Sequence, residues 1–225
     1  MKDYLSIEYN IEKKPKTPYP GKLAEYLFNL FKMQAGQTIL EVGSGRGELL
    51  EHFKNLGLIT YAIDSAPSAQ KFAKKAGANF ELYNLSPENL KVPFKGKKFD
   101  IIFSKSFIEH LHDPIYFFEW SKARLNRQGK LISLTPDWES NTKIFFDDIT
   151  HVKPFSIVTL NQILELTDFK GIEVYKFRQL PMTWHNPFIR GLSMITSLIS
   201  PPRVKQKWFR WSRELMLASV GNKSG

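Results

Sequence analysis

The sequence predicts an α/β protein, an open and mostly parallel sheet covered by helices on both faces within one domain. Three observations carry this. Short apolar runs alternate with helix-length segments along much of the chain. The first run ends in a glycine-rich turn, Thr38-Ile39-Leu40-Glu41-Val42-Gly43-Ser44-Gly45-Arg46-Gly47, that leads into a helix-like segment. A later run, Tyr61-Ala62-Ile63-Asp64, ends in a carboxylate 21 residues past Gly43.

In chain order, residues 1–21 read as a leader. Met1 to Ser6 lacks an apolar signal core, and the Pro-rich passage Pro15 to Gly21 reaches the first helix, Lys22 to Met33. Strands are expected at Thr38–Val42, Tyr61–Asp64, Asn79–Leu85, Phe99–Ser104 and Lys130–Thr135, with helical patterns between them. Ile172 to Leu180 and Glu214 to Val220 supply two late strands. The expected partition is a core over 22–180, a basic, amphipathic helical insertion over 181–212, and a last strand and tail over 213–225. No repeat or membrane-length apolar run interrupts it.

Gly43, Gly45 and Gly47 allow a sharp turn and a close approach of backbone to ligand. Asp64 is suited to accept hydrogen bonds from a ribose diol. Position 48, where a dinucleotide fingerprint needs glycine, is Glu48, so a diphosphate cradle is disfavoured. Glu41 beside the loop would repel a pyrophosphate but suits a cationic, hydroxyl-bearing ligand.

These residues resemble the class I S-adenosylmethionine-dependent methyltransferases, whose first motif, E/D-x-G-x-G-x-G, is matched by Glu41 to Gly47. The resemblance implies a Rossmann-like, doubly wound sheet of seven strands whose last strand is antiparallel and slips between its neighbours. It implies S-adenosylmethionine as cofactor, touched by Glu41, Gly43, Ser44, Gly45, Gly47, Asp64, Ser65, Asn84, Leu85 and Ser104. Asn84 stands where Asp is commoner, and its carbonyl oxygen can still accept from an adenine amino group.

On the acceptor side, Ser104 to Pro114 follows the fourth strand, where open α/β sheets place their crevice. Glu109 and His110 suit deprotonation of a hydroxyl, and His151, in a later loop, could face His110. Glu109, His110 and His151 resemble part of the metal site of small-RNA 2′-O-methyltransferases, and a Glu-His pair also occurs in quinone O-methyltransferases. Ser106 stands where a further Glu would complete that site, so a divalent metal would need Asp147, Asp148 or water. The blander reading has His110 capping the turn and shaping the pocket. His112, before Asp113-Pro114, belongs to a helix-starting turn, and Asp100, at a strand start, supports a turn.

A chain of 225 residues, 42% hydrophobic, can bury one sizeable core, and the absence of cysteine excludes disulfides and thiolate chemistry. The net charge of +10 is concentrated late: from Lys170 onward there are ten Lys/Arg and two acids. In the insertion, apolar residues at 188, 189, 192, 195 and 199 form one face of a helix, followed by Arg203, Lys205, Lys207, Arg210 and Arg213 with Trp208, Phe209 and Trp211 interleaved. That pattern suits a lid or core helix, an anionic membrane surface, or a nucleic acid.

The sequence thus reads as a cytoplasmic methyltransferase, peripheral at the inner membrane surface if the insertion binds there. It would act on an oxygen or nitrogen of a small-molecule or lipid-linked acceptor. The segment His151 to Ser156 resembles relatives acting on surface-glycan sugars. The alternatives are an RNA methyltransferase and a non-catalytic, cofactor-binding scaffold.

Overall fold

The computed structural model describes residues 15–224. Residues 1–14 of the expected leader lie outside the described residues, as does Gly225. Seven strands, β1 (Thr38–Val42), β2 (Ile59–Asp64), β3 (Asn79–Leu82), β4 (Phe99–Lys105), β5 (Leu125–Pro136), β6 (Lys170–Phe177) and β7 (Met216–Asn222), lie in the order β3-β2-β1-β4-β5-β7-β6. The helices are α1 (Tyr19–Leu30), α2 (Glu48–Asn55), α3 (Ala69–Lys75), α4 (Pro114–Arg124), α5 (Trp138–Asn141), α6 (Ile157–Leu166), α7 (Pro187–Ile199) and α8 (Lys207–Arg213). The last strand is inserted between β5 and β6, and it is antiparallel to β6, with Val174 opposite Ser219. The expected α/β fold with an antiparallel last strand is the one observed.

The chain divides into two compact units. One takes the described residues up to Ser104, Glu119–Leu131 and the residues after Asn222. In it β1 pairs parallel with β2 and with β4, Val42 lying opposite Ile63 and Ser104. Ile39, Leu40 and Val42 are buried, as the unbroken apolar run requires of a strand covered on both faces. Phe53 of α2 meets Phe103 of β4 edge-on, ring centroids 5.5 Å apart. Asp100 at the start of β4 accepts from Thr38 N and Oγ1, both at 2.8 Å, and from Asn126 Nδ2 at 2.7 Å. Its role is structural, as expected.

The second unit takes Lys105–Phe118 and Ile132–Asn222. Its core gathers Phe117, Leu134, Phe155, Leu160, Leu217 and Ala218, all fully buried. Side-chain caps start α5, α6 and α7: Asp137 accepts from Ser140 N before α5, Ser156 and Thr159 form a capping box on α6, and Asn186 accepts from Ile189 N before α7.

Several boundaries differ from expectation. Helix α1 begins at Tyr19, not Lys22, with Pro18 at its N-cap and Pro20 in its first turn, where a missing N–H costs nothing. Strand β3 stops at Leu82 rather than Leu85, although Tyr83 N still donates to Asp64 O at 2.9 Å. Strand β5 begins at Leu125, five residues before the expected Lys130. Among the described residues no helix is long and apolar enough to cross a membrane.

Candidate active site

In the first unit the loop after β1 takes left-handed backbone at all three glycines, with φ of 74°, 51° and 62° at Gly43, Gly45 and Gly47. Only glycine adopts this conformation without strain, which explains the residue choice more directly than the expected steric clearance. Gly43 N donates to Ile63 O at 2.9 Å, and Gly45 N donates to Asp64 Oδ2 at 2.8 Å. The other Asp64 oxygen accepts from Ala66 N at 2.8 Å. Asp64 therefore ties the end of β2 to the glycine loop.

Glu41 is buried, 4% exposed, and Ser44 Oγ is buried with no hydrogen-bond partner among the described residues. Ser104, the penultimate residue of β4, lies opposite Val42 and is fully buried. Ser65 and Asn84 are exposed, and Leu85 is buried. A left-handed glycine backbone, a buried acid two residues before it and an orphaned hydroxyl suit a cationic adenosyl ligand.

The acceptor-side candidates all belong to the second unit. Ser106, the second residue of this unit, has φ of 51°, a strained value for a residue with a Cβ, and is held there by Ser106 N donating to Leu134 O at 2.8 Å. Glu109 follows on a 3-10 turn, Ile108–His110, and is fully buried. Its backbone carbonyl accepts from Val152 N and Lys153 N, at 2.9 and 3.0 Å, which draws the sequence-distant loop bearing His151 to it. Its Oε2 accepts from Thr135 Oγ1 at 2.9 Å, and its Oε1 has no hydrogen-bond partner among the described residues. Burial pushes the Glu109 carboxyl up to about 7, against the Thr135 bond, which lowers it.

His110 and His151 come together as expected, ring centroids 4.9 Å apart. His151 Nδ1 lies 2.6 Å from the carbonyl of Phe145, which can only accept, so this nitrogen is the donor and, in the neutral ring, Nε2 is the acceptor. His110 Nδ1 lies 3.1 Å from Thr150 O and 2.9 Å from Thr150 Oγ1, which itself donates to Asp148 Oδ1 at 2.6 Å. Burial lowers the His110 pKa below its usual value, opposed by the hydrogen bond with the Thr150 carbonyl. Sequence reasoning missed Thr150, a local threonine whose partner is 40 residues away.

One donor atom from each of Glu109, His110 and His151 lies within 4.8 Å of the others. A buried, orphaned carboxylate oxygen beside two imidazoles is a donor set that divalent cations accept. Asp147 and Asp148, expected as additional ligands, are outside this cluster and engaged elsewhere: Asp147 accepts from both Nε and Nη2 of Arg203 at 2.8 Å, and Asp148 accepts from Thr150. His112 is exposed, and Asp113 Oδ1 accepts from Tyr116 N, so that segment starts α4, as expected.

A cavity of about 470 Å³ opens in the same unit, lined by Ser106, Asn141, Phe145, His151, Lys205 and Met216 among others. That volume takes a small-molecule acceptor. Of the two histidines, only His151 lines it.

A family model described as a methyltransferase domain matches residues 18–174. The chain belongs to this family. With membership goes the methyl donor that the motif implied, S-adenosylmethionine. The methyltransferase is 32% identical over 181 residues to the ubiquinone biosynthesis O-methyltransferase of Pelagibacter ubique, covering 72% of this chain and 74% of that one. It is 31% identical to the enzyme of the same description from Bartonella bacilliformis over 112 residues, 47% of this chain and 44% of that one. The matches to the first curated relatives span only about two fifths of their length. In fold the methyltransferase is similar to an S-adenosylmethionine-dependent methyltransferase from Archaeoglobus fulgidus, with a TM-score of 0.65 and 20% identity, over 98% of this chain and all of that one.

Proposed function

We propose that this methyltransferase transfers the methyl group of S-adenosylmethionine to a hydroxyl oxygen of a small, lipid-linked acceptor, with His151 taking the hydroxyl proton. The observation that carries the reading is His151 itself: a wall of an acceptor-sized cavity, with Nδ1–H committed to Phe145 O and Nε2 left to accept. When bound, S-adenosylmethionine supplies a methyl already activated by its sulfonium, so the chain's own part is to align, desolvate and deprotonate.

Glu41, Gly43, Ser44, Gly45, Gly47, Asp64, Ser65, Asn84, Leu85 and Ser104 are the proposed donor contacts, with Glu41 facing cationic charge and Asp64 the ribose hydroxyls. As the acceptor oxygen bonds to the methyl carbon, its O–H bond breaks and the proton passes to His151 Nε2. His110 packs beside that ring, held by Thr150, and Glu109 lies within reach of both. An imidazole base favours oxygen over an amine, which needs only positioning. The relatives' descriptions as O-methyltransferases of ubiquinone biosynthesis support a ring hydroxyl on a lipid tail as the first acceptor to test. Sugar hydroxyls of a lipid-linked glycan are the second, on the resemblance carried by residues 151–156.

The orphaned Oε1 of Glu109 favours a second reading, in which Glu109, His110 and His151 would hold a divalent cation that lowers the acceptor hydroxyl's pKa. Calorimetric titration with S-adenosylmethionine, followed by radiolabelled methyl transfer to both acceptor classes with and without a chelator, tests the set. We expect donor binding, and a rate that falls about 10²- to 10⁴-fold in His151→Ala with donor affinity unchanged. Undiminished turnover in His151→Ala overturns the base assignment, and loss of turnover to the chelator with recovery on added magnesium replaces it with the cation reading.

A further inference from the structure

We propose that α7 is an interfacial helix that docks this methyltransferase on a membrane surface carrying anionic lipid. The helix is inside out. Phe188, Leu192, Met194, Ile195, Leu198 and Ile199 face outward, with Phe188 80% and Leu198 85% exposed, while the small polar residues Ser193, Thr196 and Ser200 are buried. A surface helix ordinarily shows the reverse arrangement.

Hydrogen bonds fix that orientation. Ser193 Oγ donates to Ser212 Oγ at 2.9 Å and accepts from Arg178 Nε at 3.3 Å, and Trp208 Nε1 donates to Thr196 Oγ1 at 3.2 Å. Rolling α7 to bury its apolar side would break all three and leave the fully buried Ser212 hydroxyl without its Ser193 partner. The apolar stripe is therefore held outward by the fold.

Charge selects what covers it. Between Glu173 and Glu214 the chain carries eight Lys/Arg and no acid. Lys176, Arg203 and Arg210 already have carboxylate partners, but Arg190, Lys205 and Lys207 are exposed and pair with no carboxylate among the described residues. Lys207 Nζ lies 5.6 Å above the Trp211 ring, and Trp208 and Phe209 are half-buried beside it, the amphipathic composition of a headgroup boundary. A second copy of the chain would set these cations against themselves in a self-complementary interface, whereas anionic headgroups neutralise them. At 13 residues, α7 is too short to cross a bilayer and lies in its surface.

The inference stands on α7 and does not depend on the identity of the acceptor. The test is flotation of the purified full chain with phosphatidylcholine vesicles and with mixed phosphatidylcholine–phosphatidylglycerol vesicles, beside S-adenosylmethionine titration as a readout of the donor site. We expect flotation with the mixed vesicles alone, reduced about tenfold or more by Leu198→Glu and by Lys207→Glu with donor affinity unchanged. Val158→Glu, on the exposed side of α6, is expected to leave flotation intact. No flotation, flotation that Leu198→Glu leaves undiminished, or a dimer that Leu198→Glu converts to monomer in light scattering overturns the proposal.

Discussion

At the scale of single residues, the donor side is set by backbone conformation. Gly45 carries a φ of 51° and donates its N–H to Asp64 at 2.8 Å, so the loop conformation and the carboxylate are one unit. Gly45→Val places a β-branched residue in left-handed backbone at a cost of about 1–2 kcal/mol and moves that N–H. Donor affinity measured by titration should fall at least about tenfold, and an unchanged affinity would remove the loop from the site. Asp100 is a residue-scale matter of stability. Burial alone would raise its pKa, but the bonds from Thr38 and Asn126 and the nearby Lys97 charge hold it low. A carboxyl with a depressed folded pKa stabilises the fold above the unfolded carboxylate range, and that contribution disappears as pH falls through the folded value. Asp100→Asn should therefore lower the urea-unfolding free energy by about 1–2 kcal/mol at neutral pH, with the difference from the parent shrinking in acid.

Elements differ in how openly the sequence displays them. Strand β1 matches its expected span, Thr38–Val42, because a short buried strand reads as an unbroken apolar run with a glycine stop. The extended β5 was less legible: Asn126, Arg127, Gln128 and Gly129 lack the apolar alternation of a strand, and the pairing of the folded sheet overrides local preference there. Helix α7 shows the limit of periodicity in another form. The apolar positions 188, 189, 192, 195 and 199 were legible as one stripe, yet the sequence could not say which way the stripe faces, and the expected alternative of a plain core helix is not what the burial shows. Its inward side is made of hydroxyls. Ser193→Leu should cost about 1–3 kcal/mol through overpacking and loss of the Ser212 bond, while Leu198→Ser should shift thermal unfolding by no more than about 0.5 kcal/mol. Equal effects at the two positions would mean the helix is oriented otherwise.

For the whole molecule, strand order decides where sensitivity lies. The last strand in sequence, β7, sits between two others, so Leu217 is fully buried, whereas β3 is an edge whose Leu82 is 57% exposed. Leu217→Ala should cost about 2–5 kcal/mol and Leu82→Ala less than about 1, as read from denaturant midpoints. Similar losses at both sites would contradict the order β5-β7-β6.

The sequence by itself determined the alternation of strands and helices, the glycine loop, Asp64 at the end of β2 and the pairing of Glu109 with His110. Each is local: backbone permissiveness, hydropathy period and neighbouring residues are written in consecutive positions. The tertiary structure alone decided that His151 meets His110 through the Glu109 carbonyl, that Thr150 orients one ring and Phe145 the other, and that Asp147 goes to Arg203. It also decided that α7 turns its leucines outward. Those outcomes depend on hydrogen-bond partners tens of residues apart, and a one-dimensional pattern holds no record of which distant carbonyl or hydroxyl will satisfy a buried polar group.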